Sequence, residues 1–277
     1  AQFNPTNTII KMVQVSDIFF AYVCPSMGVV MSALMYAAPV NDLNEALVIG
    51  KLGDLNPIPW AVMTGNCLGW TVYAYYTKDP FILASNIPGM MVSVWLNMGA
   101  AKLQYLNARQ VTSTQEHTAN ARRALVLVSQ EVLLLRILLL WFIVLIGVGW
   151  LGLGFQRQIA AIGIIVNINL LFFYGAPLQT IQRVIAEGSS ASIHRPMMRM
   201  NWLNTSFWTL YGFVARNDPI IYGPNAIGLV FGLIQGILCC IYPAQGELDI
   251  DPAPLLSQEA SEATSPQPEL PETSEVL

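Results

Sequence analysis

The chain has 277 residues, 54% of them hydrophobic and 11% charged, with a mean hydropathy of +0.51. An ordinary soluble domain carries about 25% charged residues, so a fold whose whole surface faces water is excluded. The net charge of −4 belongs to one end: no Lys or Arg follows Arg216, residues 244–277 hold eight acids, and the remainder is +4, thirteen bases against nine acids.

A helix that crosses a bilayer needs about 20 mainly apolar residues, and the chain offers seven such runs. Residues 1–15 form a polar N-terminal segment. The first run, 16–38, ends at Pro39, and residues 40–56 are polar, with Asp42, Glu45, Lys51 and Asp54. The second, 58–77, follows Pro57, and the third, 81–105, follows Lys78-Asp79-Pro80. Residues 106–131 form the longest polar connection. The fourth run, 132–154, is the most apolar. The fifth, 158–182, carries Asn167, Asn169 and Pro177; the sixth, 197–215, carries Trp202 and Trp208; the seventh, 220–242, carries Asn225. The tail, 244–277, is rich in Pro, Glu, Ser and Thr and reads as disordered, because it cannot bury enough apolar area to offset its ordering entropy. Cys24, Cys67, Cys239 and Cys240 lie in apolar runs without metal-ligand spacing and read as packing residues.

One stretch is written twice. Asn66, Trp70, Thr71, Tyr73, Asp79, Pro80 and Asn86 return as Asn204, Trp208, Thr209, Tyr211, Asp218, Pro219 and Asn225, offset by 138 at the first members and 139 at the last. One residue is therefore inserted in between. Tyr36, Ala38 and Pro39 pair with Tyr174, Ala176 and Pro177 at 138, and Pro59 pairs with Pro196 at 137. The fourth run has no counterpart. The expected fold is all-α: a first three-helix bundle over 16–105, a cytosolic loop over 106–131, a linker helix over 132–154 and a second bundle over 158–243. Three crossings reverse the side on which a repeat ends, and the extra helix restores it. The repeats then run parallel about an axis along the membrane normal, with a substrate site expected at their interface. Nine basic residues fall in the segments that are cytosolic if the N-terminus is outside, against four in the outer ones, which favours an outer N-terminus and a cytosolic C-terminus.

A buried amide in hydrocarbon needs partners. For a single Asn86 or Asn225 the plain reading is an interhelical hydrogen bond, worth about 0.6 kcal/mol. Two at equivalent places would face each other across the pseudo-axis, where a polyhydroxylated ligand uses both donor and acceptor. Trp70 and Trp208 lie mid-run, away from the membrane-interface belt, and an indole stacks on the C–H face of a sugar ring. With Asn66 and Asn204 these residues are the candidate ligand contacts. Pro39, Pro59, Pro177 and Pro196 are candidate bending points at the cytosolic ends, though each alone reads as helix termination. On the outer side Tyr73, Tyr211, Lys78 and Asp218 are candidates for a gate built from hydrogen bonds and an ion pair. No Asp or Glu lies deep in a span, where proton-coupled transporters keep their relays, and no Walker, zinc or nucleophile-elbow motif is present.

At Tyr-Gly-Ala-Pro-Leu (174–178), Trp-Thr-Leu-Tyr-Gly (208–212) and Asn-Asp-Pro through Pro-Asn (217–225), the sequence resembles the SWEET family of eukaryotic seven-helix sugar transporters, over about 16–243. The resemblance implies a facilitative carrier, not an enzyme, that moves mono- or disaccharides such as glucose or sucrose down their gradient by alternating access. It implies a sugar-contacting pair at Asn86 and Asn225, a pocket Trp at Trp208, a proline tetrad at Pro39, Pro59, Pro177 and Pro196, and an outer gate at Tyr73, Tyr211 and Asp218. Trp at both 70 and 208 is similar to the half-size bacterial relatives and narrows the pocket. No cofactor, metal or nucleic acid is expected. The expected partners are a small-molecule sugar and membrane lipid, with a homo-oligomer left open. The expected location is the plasma membrane, with an internal membrane as the other choice. A proton-coupled transporter of amino acids or other small solutes of the PQ-loop type is the alternative. It fares worse because the kinks read Pro39-Val40 and Pro177-Leu178 rather than Pro-Gln. A non-transporting seven-helix receptor has no need of matched Asn and Trp.

Overall fold

The computed structural model describes residues 15–53, 55–112 and 129–244. Most of the N-terminal segment, the middle of the long connection with Arg122 and Arg123, and the acidic tail lie outside them. The described residues form seven long helices and no strand. α1 runs Val15–Ile49 and contains a π-helical turn near its start, at Phe19–Val23. α2 is Ile58–Thr77, α3 Pro80–Thr112, α4 Gln130–Trp150, α5 Phe155–Glu187, α6 Arg195–Leu210 and α7 Pro219–Ile241. α1, α3, α4, α5 and α7 are long and apolar enough to cross a membrane by length and composition. α2 and α6 fall short of that measure: α6 is 16 residues long, and α2 carries Thr64, Asn66 and several Trp and Tyr that lower its apolarity.

The repeat is visible in how the helices begin and end. α1 and α5 both close on a left-handed glycine, Gly50 and Gly188 (φ 78° and 63°), 138 residues apart. A side chain with a Cβ is disfavoured there. Before α3 and α7 the chain turns through left-handed Lys78 and Asn217. It then starts each helix on Asp-Pro, the Asp capping and the Pro in the first turn, where a missing N–H costs nothing. The inserted residue is located too. After α6 the chain passes through a π-helical turn, Tyr211–Ala215, where α2 stays α-helical to Thr77. A π turn is how a helix absorbs one extra residue, so the offset changes from 138 to 139 there. The two π turns pack on each other.

The expected end of the first helix at Pro39 is corrected. α1 continues to Ile49, with Pro39 inside it, as Pro177 is inside α5. Apolarity locates the bilayer crossing, not the helix end: Leu43 and Ala46, beyond the proline, are buried in the first bundle's own core. Pro59 and Pro196 instead sit in the first turns of α2 and α6.

Packing closes the helices into a ring. α3 lies between α1 and α2, α7 lies between α5 and α6, and the halves meet where α1 packs on α6 and α2 on α5. Each half is the other rotated about the central axis. α4 breaks the symmetry by lying on α2 and α3. Its Trp141 covers Gly65 and Gly69 of α2. A Cβ at Gly69 would fall 2.3 Å from the Trp141 ring and 2.6 Å from Val166 of α5. A buried polar chain fastens the same helix. Gln130 donates to Asn97 Oδ1 (2.6 Å) and to the Pro57 carbonyl (2.7 Å). Asn97 donates to Thr64 (3.1 Å), and Thr64 donates to Ser93 (2.9 Å). In the second repeat Gly232 and Gly236 stand where Ser93 and Asn97 are, at the 139 offset, so no second linker helix could be fastened there this way.

Candidate transport site

Two turns of helix are 7.2 residues and about 11 Å, and this spacing arranges the site in layers. Seven residues separate Asn66 from Tyr73 and from Pro59, Pro39 from Ser32, Asp79 from Asn86, and Asp218 from Asn225. Each residue therefore shares a helix face with its partner, one layer away.

The middle layer is a cavity of about 120 Å³ at the axis. Its lining includes all six candidate ligand contacts, Asn66, Trp70, Asn86, Asn204, Trp208 and Asn225, contributed by α2, α3, α6 and α7. Ser32, Tyr36, Ile82, Ser85, Leu170 and Ile221 complete it, and none of the twelve is charged. The amide nitrogens of Asn86 and Asn225 each donate to the carbonyl one turn back, Ile82 at 2.8 Å and Ile221 at 2.7 Å, which fixes both amides in the same orientation about the axis. Each indole is braced edge-on by the tyrosine three residues on: Trp70 with Tyr73 at 5.6 Å, Trp208 with Tyr211 at 5.9 Å.

One end of the cavity is shut. Tyr73 donates to Asp218 Oδ2 at 2.6 Å, and Tyr211 donates to Asp79 Oδ2 at 2.6 Å, each bond crossing between the repeats. The other oxygen of each aspartate caps its own helix: Asp79 Oδ1 accepts from Phe81 and Ile82 N–H, Asp218 Oδ1 from Ile220 N–H. The ion pair is not the expected one. Lys78 lies over the Tyr75 ring at 4.1 Å, and Arg216 reaches Asp79 at 3.2 Å. The extra residue of the π turn precedes Arg216 and carries it across to the first repeat, where it also donates to the Thr77 carbonyl. Asp79 was readable from the repeat as the counterpart of Asp218. Arg216 was not, because nothing at the equivalent place in the first repeat is charged.

The buried cores show the same polarity. One cluster joins the halves at the Tyr–Asp end: Trp70, Tyr73, Ile82, Trp208, Tyr211 and Ile221 with Trp141 and Val166. At the proline end the described residues form two separate clusters. One, around Leu43, Trp60 and Leu96, belongs to the first bundle; the other, around Val184, Ile193 and Leu238, belongs to the second. The halves are joined at one end and packed independently at the other.

The profile of the family described as "Sugar efflux transporter for intercellular exchange" matches residues 23–98 and again 160–247. Those are the two bundles, with α4 left between them. The chain belongs to the SWEET family. SWEET relatives include the sugar transporter SWEET1 of Xenopus laevis, 26% identical over 217 residues (78% of this chain, 90% of that one). Human sugar transporter SWEET1 is 25% identical over 218 residues (78% and 89%). The bidirectional sugar transporter SWEET8 of Arabidopsis thaliana is 25% identical over 217 residues (78% and 84%). A solved eukaryotic SWEET transporter superposes with a TM-score of 0.63 at 18% identity, covering 82% of this chain and 98% of its own, a likeness of fold. SWEET proteins are membrane transporters, not enzymes. The 3+1+3 arrangement of helices expected from the repeat is the SWEET architecture found here.

Proposed function

We propose that this chain is a facilitative sugar carrier: it moves a monosaccharide-sized sugar down its gradient by alternating access, without a coupled ion. The observation that carries the reading is the uncharged cavity between the repeats, with an indole pair, an amide pair and a second Asn pair supplied symmetrically around it. Neutral amides exchange hydrogen bonds with hydroxyls, and indoles cover the C–H face of a pyranose. An amino-acid zwitterion would enter with two charges and find none to meet them. The cavity is comparable to the ~150 Å³ space that takes one six-membered ring, which favours a monosaccharide over sucrose in this conformation. The Tyr–Asp layer then serves as the outer gate, closed here, and Pro39, Pro59, Pro177 and Pro196 as the bending points of the inner mouth. The excess of basic residues on the opposite side supports an outer N-terminus. The relatives named as sugar transporters support the substrate class.

Uptake of labelled glucose and sucrose into proteoliposomes, with and without a pH gradient, tests the reading. Glucose uptake is expected to be saturable and the same in both. Uptake that follows the proton gradient, or transport of amino acids in place of sugars, would overturn it.

A further inference from the structure

The two sides of the cavity are related by sequence but not by hydrogen bonding. On the α1–α6 side, Ser32 donates to Asn204 Oδ1 at 3.0 Å and accepts from Trp208 Nε1 at 3.2 Å. Shifting each number by 138, up for Ser32 and down for Asn204 and Trp208, gives the α5–α2 side: Leu170, Asn66 and Trp70. Leucine can neither donate nor accept. The carbonyl oxygen of Asn66, a residue only 8% exposed, is buried and has no hydrogen-bond partner. The same asymmetry extends along the seam. Thr71 Oγ1 of α2, and Asn167 Oδ1 and Asn169 Nδ2 of α5, are also buried without partners. Across the axis Thr209, the counterpart of Thr71, donates to the Thr205 carbonyl at 2.6 Å. An unmet buried carbonyl costs about 1–3 kcal/mol, and because Asn66 lines the cavity, an O–H that enters beside it can relieve that cost.

We propose that Leu170 is a specificity-determining residue: by withholding the hydroxyl that Ser32 supplies on the other side, it leaves the Asn66 carbonyl to accept a hydrogen bond from one particular sugar hydroxyl. This rests on the sugar reading above. Asn204 and Trp208 are already engaged, so the ligand is held lopsidedly, with one hydroxyl demanded at Asn66 and none demanded at Asn204. A site that is nearly twofold in sequence thereby gains a single ligand orientation.

Displacement of labelled glucose from the detergent-solubilised full-length protein by the four singly deoxygenated glucoses (2-, 3-, 4- and 6-deoxy) tests this. In the wild type, one analogue is expected to compete about tenfold or more weakly than glucose, the cost of leaving a buried acceptor unmet. In Leu170→Ser the new hydroxyl donates to Asn66 and the gap shrinks to about threefold or less. Asn66→Ala removes the acceptor and shrinks it likewise. Asn204→Ala leaves the gap in place. Leu170→Thr brings the same hydroxyl should the serine variant elute as aggregate. A gap that persists in both Leu170→Ser and Asn66→Ala overturns the proposal, as does its closure in Asn204→Ala, or a wild type indifferent to every deoxygenation. A wild type that binds no sugar at all fails the sugar reading itself, which is a different result.

Discussion

Asn225 and Trp208 show what the site asks of single residues. The amide of Asn225 is turned by its bond to the Ile221 carbonyl, and the indole of Trp208 is held by Ser32 on one edge and Tyr211 on another. Neither side chain is free to choose its direction, and a fixed direction is what the proposed neutral ligand would need from a few contacts. Asn225→Ala and Trp208→Ala are each expected to lower sugar uptake at least about tenfold, the effect of losing one buried contact worth above 1.4 kcal/mol. Surface-labelling should show Asn225→Ala in the membrane at wild-type amounts, because its change falls in the cavity; Trp208 also packs in the core that joins the halves, so uptake by Trp208→Ala is normalised to the amount in the membrane. Unchanged uptake in both would remove the site from the mechanism.

At the level of the element, each aspartate of the proposed gate belongs to two structures at once. One oxygen starts its own helix and the other closes the opposite repeat, so the gate cannot part by the aspartate swinging away without uncapping α3 or α7. In the proposed mechanism it parts when the bundles move apart as bodies. The two aspartates are not equal, however. Asp79 accepts from two helix N–H groups, from Tyr211 and from Arg216, and its side chain is wholly buried. Asp218 accepts from Ile220 N–H and Tyr73 and is half-buried. An N-cap is worth about 1 kcal/mol, and stranding Arg216 adds to the loss at Asp79. Asp79→Ala is therefore expected to lower the melting temperature in detergent further than Asp218→Ala, at about 2–4 °C per kcal/mol for a chain of this size. Equal shifts would show that Arg216 contributes nothing to the closed gate.

For the molecule as a whole, the arrangement of cores describes a clamp. The halves share buried apolar surface only at the Tyr–Asp end among the described residues, and the linker helix travels with the first half through Gln130, Asn97 and Thr64. In the proposed cycle the proline end closes as the Tyr–Asp end opens, and the mid-helix prolines of α1 and α5 are where those helices lack a backbone bond and can bend. Pro39→Ala combined with Pro177→Ala is expected to slow sugar exchange several-fold while leaving the half-saturating concentration near the wild-type value, because neither proline lines the cavity. A raised half-saturating concentration at full rate would place the prolines in binding instead.

The sequence by itself determined the all-α class, the 3+1+3 order and six residues that line a shared cavity. Each of these is written as local apolarity or as identity between the repeats, and a twofold fold brings identical positions face to face. It also registered the inserted residue, as a change of offset from 138 to 139. What only the tertiary structure decided was everything unlike between the halves. That includes Arg216 reaching Asp79 through the π turn, α1 running on past Pro39, α4 fastened to the first bundle, and Ser32 serving Asn204 while Leu170 leaves Asn66 unmet. Comparison of repeats finds what is the same. A contact between two different residues on distant helices is set by packing, and no periodicity in the chain announces it.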